Sequence, residues 1–239
     1  MGNGMSRAGA SAASGAKIVI AIDGPAGSGK STLAALLARK YNYINIETGA
    51  MYRALALKAI ERSIPLDDSA KLADLAQHAQ IELVPTAEGN RVLLDGVDVT
   101  ERLRSQDVTE AASKVSVHPP VREWMVAGQR KLGTGGGVVM EGRDIGSKVF
   151  PDAEVKIFLD AAPEVRGTRR FLQSPVAEEH AAVLAELHVR DQRDRARANS
   201  PLVAAPDAVQ IDSTYLTLDQ VLARAIELVD AKLGEIAAR

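Results

Sequence analysis

The 239-residue chain contains no cysteine. That excludes disulfides, thiolate metal centres and cysteine nucleophiles, and makes a reduced, cytoplasmic setting the default expectation. No apolar run is long enough to span a bilayer, and the first residues, rich in Gly, Ala and Ser, lack the apolar core of a signal peptide. A disordered tail is expected over residues 1–16. Met1, Gly2 and Ser6 match the short N-myristoylation pattern, but the pattern is permissive and no polybasic second signal follows, so no membrane partner is expected. An excess of charge of one sign is missing too: 29 basic and 31 acidic residues leave a formal net charge of -2. No broad positive field therefore draws the chain onto a nucleic-acid polymer, and any anion site must be a local cluster. The four histidines, His78, His118, His180 and His188, are scattered without metal-ligand spacing. Internal repeats are absent.

What is present is the composition of an ordinary globular protein, 46% hydrophobic and 25% charged. Order is expected from Lys17, where Ile18 to Ile22 form an uninterrupted apolar run, the pattern of a strand buried on both faces of a parallel sheet. Glycine-rich punctuation from Asp23 to Ser28 follows, and then Leu33, Leu36 and Leu37 recur at helical spacing up to a break at Tyr41–Tyr43. Further strands are predicted at residues 43–46, 137–140, 155–159 and 208–211, separated by helical pattern, which argues for a doubly wound α/β fold. Thr217 with Gln220 predicts a capping box at the start of the last helix. Two segments interrupt this alternation. Residues 67–104 read as a helix followed by a small antiparallel unit with a turn at Asp95 and Gly96. Residues 166–188, charged at both ends and broken by Ser174 and Pro175, read as a mobile cover. The glycine cluster from Gly133 to Gly137 lacks the spacing of a dinucleotide fingerprint and reads as a loop.

Gly24, Pro25, Ala26, Gly27, Ser28, Gly29, Lys30, Ser31 and Thr32 carry the two-glycine, Lys, Ser/Thr spacing of a P-loop, with a strand before and a helix after. Glycines let successive backbone N–H groups approach phosphate oxygens, and the helix beginning at Gly29 adds its positive end. Lys30 can reach the β and γ oxygens, and Ser31 can complete the coordination of Mg²⁺. Arg190, Arg193 and Arg197 fall at helical spacing with Asp191 and Asp194 between them, and Arg166, Arg169 and Arg170 repeat the arrangement one helix earlier. Such a helix can simply be a solvated ion-pair surface. It can equally present guanidinium groups to phosphates and close over a transferring phosphoryl group. Glu47 to Arg53 and Glu141 to Gly146 lie at strand ends, where ligands bind in open α/β sheets. The plain alternatives are a helix capped by Thr48 and a polar turn.

Taken in order, the stretches IDGPAGSGKST, ETGAMYRALAL, EGRDIG, VFPDAEVKIFLDA and RDQRDRAR make the chain resemble the bacterial cytidylate kinase family from Lys17 to about Lys232. The resemblance implies transfer of the γ-phosphoryl group of ATP to CMP or dCMP with Mg²⁺. It also implies a P-loop kinase core (residues 17–66 and 105–239) with a central parallel sheet and helices on both faces. A small α+β monophosphate-binding insert (67–104) and a helical lid (about 166–188) complete that architecture. By the same resemblance, Thr48, Ser113, Arg122 and Asp144 contact the base, and Arg190 and Asp194 the sugar. Arg53, Arg143 and Arg197 take the acceptor phosphate, and Arg166, Arg169 and Arg170 gather round the triphosphate. Lys30, Arg143, Arg169 and Arg197 are the catalytic set, and a monomer is expected. The chain departs from the family's usual pattern in having Glu47, Thr48 and Glu141 where Asp, Ser and Asp are common. Its lid is shorter and lacks the usual glycine and aromatic residue.

The rival readings are a P-loop kinase of UMP or of a metabolite such as dephospho-coenzyme A, a nucleotide-gated switch or motor, and a binding protein that has lost activity, against which the intact Lys30 argues. The second lacks its guanine and signature motifs here.

Overall fold

A computed structural model describes residues 17–86, 89–173 and 180–239. The expected tail, the Met1/Gly2/Ser6 pattern and the Ser174–Pro175 interruption lie outside the described residues. In chain order the strands are β1 (Val19–Asp23), β2 (Ile44–Glu47), β3 (Ile81–Thr86), β4 (Gly89–Leu94), β5 (Val97–Asp98), β6 (Val138–Gly142), β7 (Val155–Asp160) and β8 (Val209–Asp212). The helices are α1 (Lys30–Tyr41), α2 (Thr48–Glu61), α3 (Ser69–Gln77), α4 (Gln106–Val115), α5 (Pro119–Gly133), α6 (Pro163–Gln173), α7 (His180–Arg195) and α8 (Leu218–Ala237).

Five strands form one parallel sheet in the order β2-β6-β1-β7-β8. The unbroken apolar run of the first strand is explained by its central place. Ile18, Ile20 and Ile22 pack with Leu33, Leu37, Val221 and Val229 of α1 and α8 on one face. Val19 and Ala21 pack with Val138, Met140, Ile145 and Val149 on the other. A strand covered on both faces has no polar side to show. Because β1 has β6 on one side and β7 on the other, its carboxyl end opens on the crevice where connections diverge to opposite faces. The glycine loop sits there.

Residues 81–98 form a separate antiparallel sheet, β3-β4-β5, as the interrupted pattern predicted. Its Asp95–Gly96 turn has both φ angles positive, 50° and 82°, the geometry that suits a two-residue hairpin. Two contacts tie this unit to the core. Buried Lys58 of α2 donates to the His78 carbonyl at 2.9 Å and pairs with Asp95 at 2.8 Å. The Asn90 side chain bridges the outer edge of β2, donating to the Asn45 carbonyl at 2.8 Å and accepting from the Glu47 amide at 3.0 Å. The capping box at Thr217 and Gln220 is formed as expected. The plain alternative of a Thr48 cap is not formed: Glu47 holds the N-cap position of α2, and the Thr48 hydroxyl, already inside the helix, donates instead to the Glu141 carbonyl at 2.8 Å.

Helices α6 and α7 flank residues 174–179 and pack against each other. They begin before and end after the segment expected as a cover, so the arginines at its two ends stand on regular helix.

Candidate functional site

A cavity of about 430 Å³ lies over the carboxyl end of β1. Of the site residues expected from the sequence, all but Gly24, Pro25 and Arg166 line it.

The loop is built for backbone proximity. At Gly24 (φ 150°) an added Cβ would sit 2.0 Å from the Leu159 carbonyl oxygen, and at Gly27 (φ 76°) one would sit 2.8 Å from the Arg166 carbonyl oxygen. Only glycine keeps the loop pressed against its neighbours with this backbone. Helix α1 starts directly after Gly29 with no side chain capping it, so its first N–H groups remain available to an anion. Lys30 is buried within the loop, donating to the Pro25 carbonyl at 2.6 Å and to Ser28 Oγ at 3.4 Å. Burial, followed by the charge of Arg143, pushes its ammonium down to about 7. The group is short of anions.

Two carboxylates stand beside it. Burial, then the charge of Glu47, holds buried Glu141 above the usual carboxylate range, although Ser31 hydrogen-bonds to it. For Glu47 burial acts upward, but Arg53, at 2.5 Å, outweighs it and holds the carboxyl below its ordinary value. Ser31, Glu141 and Glu47 therefore offer only oxygen donors, the set that suits a hard divalent cation. No cluster of three or more His, Cys, Asp or Glu able to cage a metal is found among the described residues. Such a cation would have to take much of its coordination from phosphates and water, as Mg²⁺ commonly does.

One organising residue escaped the sequence reading, which took Asp23 for loop punctuation. Its buried carboxylate accepts from the Ile145 amide at 2.8 Å and the Gly146 amide at 2.7 Å, although burial pushes it up to about 6. Those amides open a wide helical turn over residues 145–149, in which Val149 N donates to the Asp144 carbonyl and Phe150 N to the Ile145 carbonyl, five residues back. Asp23 thus fixes the segment that carries Arg143 and Asp144 to the strand that carries the loop.

Arginines converge from three directions. Arg143 Nε donates to Asp194 at 2.9 Å, and Arg197 also pairs with Asp194 while donating to Ser116 Oγ at 3.0 Å. Burial raises the Asp194 carboxyl, but Arg143 and Arg197 outweigh it and keep the group ionised. Arg190 lines the same wall and has no hydrogen bond or ion pair among the described residues; burial and then Arg143 push it down to about 10. An unpaired guanidinium among like charges is a standing demand for an anion. Arg169 reaches across the loop to the Ser28 carbonyl at 3.3 Å and is held by Ser213, 3.0 Å to Oγ and 2.9 Å to the carbonyl. Arg166 lies behind the loop instead of in the cavity. Its Nη1 is 2.6 Å from Asp191 and 3.0 Å from the Ala26 carbonyl, so it ties the loop to α7.

The far end of the cavity is lined by Thr48, Tyr52, Ser113, Ser116, Arg122 and Asp144. Arg122 pairs with Asp144 at 2.5 Å with both side chains buried, and its guanidinium lies 5.5 Å from the Tyr52 ring centroid. The Tyr52 hydroxyl and the Nε atoms of Arg53, Arg122 and Arg197 are buried without a hydrogen-bond partner among the described residues. Buried polar groups are rarely left so, and four of them around one cavity indicate a polar ligand. Tyr52 lies within the Glu47 to Arg53 stretch singled out in the sequence but was given no role of its own, and Ser116 and Ser213 were not predicted. Each was legible only as a helix or strand-end residue until its neighbours from distant segments were known.

Among known proteins, the family model described as cytidylate kinase matches residues 20–231. A cytidylate kinase from Geobacillus thermodenitrificans is 48% identical over 222 residues, covering 91% of this chain and 99% of that protein. One from Enterococcus faecalis is 48% identical over 223 residues, covering 92% and 99%. Among solved structures, a shikimate kinase from Bacteroides thetaiotaomicron aligns at a TM-score of 0.44 and 16% identity, covering 90% of this chain and 98% of that one.

Proposed function

The chain belongs to the cytidylate kinase family, a kinase that phosphorylates CMP with ATP, and from that premise we propose how its residues divide the work. The observation that carries the proposal is the meeting of two anion-seeking sets in one cavity. Lys30 lies in the glycine loop, and Arg143 and Arg190 lie close enough to lower its proton affinity. Cations held together in a buried site call for anions to offset their repulsion, and the phosphates of a nucleotide supply several negative charges at once.

In this reading residues 24–32 and the α1 N-terminus hold the β and γ phosphates of ATP, with Lys30 supplying the mobile charge. Arg169 and Arg170 approach from α6, and Arg166 acts through the loop backbone it ties to α7. Arg53, Arg143 and Arg197 receive the phosphate of CMP or dCMP. Arg190 and Asp194 stand at the sugar, and Thr48, Ser113, Arg122 and Asp144 at the base. The Asp144 carboxylate suits the cytosine amino donor. The acceptor is already an anionic phosphate, so no side chain must act as a strong base; alignment and charge neutralisation carry the rate. Ser31, with Glu141 and Glu47 through water, would hold Mg²⁺, which when bound neutralises charge on the transferring phosphates. All these groups come from one chain, so a monomer suffices. No helix of the described residues is long and apolar enough to cross a membrane, in keeping with a cytoplasmic location.

An assay coupling ADP release to oxidation of a reduced nicotinamide, run against CMP, dCMP, UMP, AMP and GMP, tests the acceptor class. CMP and dCMP are expected to be used at comparable rates and the purine nucleotides hardly at all. Faster turnover with UMP or AMP than with CMP would reject this base assignment.

A further inference from the structure

Of the three regularly spaced arginines Arg190, Arg193 and Arg197, Arg193 is the one that the proposed function leaves idle. It does not line the main cavity; it borders a shallow surface groove with Lys114 and His118. Its Nη1 nevertheless donates to Ser113 Oγ at 2.7 Å, and Ser113 is a buried residue of the cavity wall. The Ser113 hydroxyl hydrogen has no acceptor among the described residues: the one hydrogen bond of its oxygen is that from Arg193, and the neighbouring Ser116 hydroxyl bonds only the Ser113 carbonyl. A serine hydroxyl can donate or accept. With a guanidinium already on its oxygen, donation is strengthened and acceptance of a further hydrogen bond is disfavoured by the adjacent positive charge.

We propose that Arg193 is a specificity-determining positioning residue: from outside the cavity it fixes the Ser113 hydroxyl as a donor toward the base. The inference rests on the proposed placement of the acceptor base at Ser113. A pyrimidine with an unprotonated ring nitrogen and an adjacent carbonyl, as in cytosine, offers that hydroxyl an acceptor. Uracil presents an N–H at the same ring position and meets donor with donor. The device also links base reading to the cover, because α7 carries Arg190 and Arg193 while Gln106 of α4 holds Glu186 of α7 at 2.6 Å. The polarity of Ser113 is therefore set only when α7 lies on α4.

The test compares wild type, Arg193→Met, Arg193→Lys and Ser113→Ala for kcat/KM with CMP and UMP. UMP and 3-deazacytidine monophosphate, which lacks the ring-nitrogen acceptor, are also measured as inhibitors so that weak substrates still yield constants. Arg193→Met is expected to lower the preference for CMP over both analogues about tenfold by loss on the CMP side, the scale of one hydrogen bond. The KM for ATP should stay within about twofold, and Arg193→Lys, which keeps a charged donor, should restore most of the preference. Equal losses on all three nucleotides, or an unchanged preference while Ser113→Ala abolishes it, would overturn the role of Arg193 and leave the base assignment standing. An unchanged preference in Ser113→Ala would overturn both.

Discussion

Lys30→Met is expected to lower kcat by at least roughly 100-fold, the scale of removing one preorganised charge contact from a developing transition state, while leaving the free protein no less stable than wild type. The two halves have one cause. Lys30 is buried with its proton affinity reduced from 10.5 to about 7 by desolvation and by Arg143. In the unfolded chain the ammonium keeps its ordinary affinity. Between about pH 7 and 10.5 the unfolded state therefore binds more protons, stability rises with pH across that window, and at and below its lower edge the native state carries the cost of a buried cation. An apolar side chain of similar length removes that cost, so melting at pH 7 should not fall. Triphosphate reverses the balance: calorimetry in buffers of different ionisation enthalpy at pH 8 should show proton uptake as ATP binds, and Lys30→Met should lose it. Turnover within a few-fold of wild type would remove Lys30 from the mechanism.

The second large effect is expected at the buried Arg122–Asp144 pair. Asp144→Ala leaves the Arg122 guanidinium, 3% exposed, without its charged partner, and breaking a buried pair in this way typically costs about 3–5 kcal/mol. For a chain of this size that is a fall in melting temperature of roughly 10 °C. Stability alone would depress every kinetic constant alike. Asp144→Asn separates the effects, because it keeps an oxygen for Arg122 but turns a donor toward the cytosine amino group. Its kcat/KM for CMP should fall about tenfold to a hundredfold, with the KM for ATP within a few-fold. The double variant Arg122→Met/Asp144→Leu should recover much of the stability lost by Asp144→Ala and none of the CMP activity. Equal losses toward CMP and ATP in Asp144→Asn would show that Asp144 does not read the base.

The parts of the fold that local chemistry determines were legible in advance. A short, largely β-branched apolar run followed by glycine is the pattern of a strand covered on both faces, and so Ile18 to Ile22 predicted a buried strand of a parallel sheet. Asp95–Gly96 predicted its hairpin because few residues accept positive φ. The arginines at residues 166–170 and 190–195 were legible as helix residues, but not their directions, and Arg197, expected on the same helix, lies two residues past its end. Arg166 turns toward Asp191 and the loop backbone while Arg169 and Arg170 line the cavity. Three-residue spacing cannot say which of two neighbouring helix faces meets the ligand. Asp23 and Asn90 were opaque for another reason. Their partners, Ile145 and Gly146 for one and Asn45 and Glu47 for the other, are distant in sequence, and hydrogen bonds across such separations leave no local pattern. The orphaned Nε atoms and the Tyr52 hydroxyl likewise become visible only when the cavity is assembled.

The most direct measurement is calorimetric titration with a dinucleotide in which cytidine and adenosine are joined 5′ to 5′ through five phosphates. If the triphosphate and monophosphate sites open into one cavity, a single molecule should bind per chain, at least about 100-fold more tightly than CMP alone, because the second half binds at high effective concentration. It should also exclude both ATP and CMP. Binding no tighter than that of the separate nucleotides, or displacement of only one of them, would contradict the shared cavity.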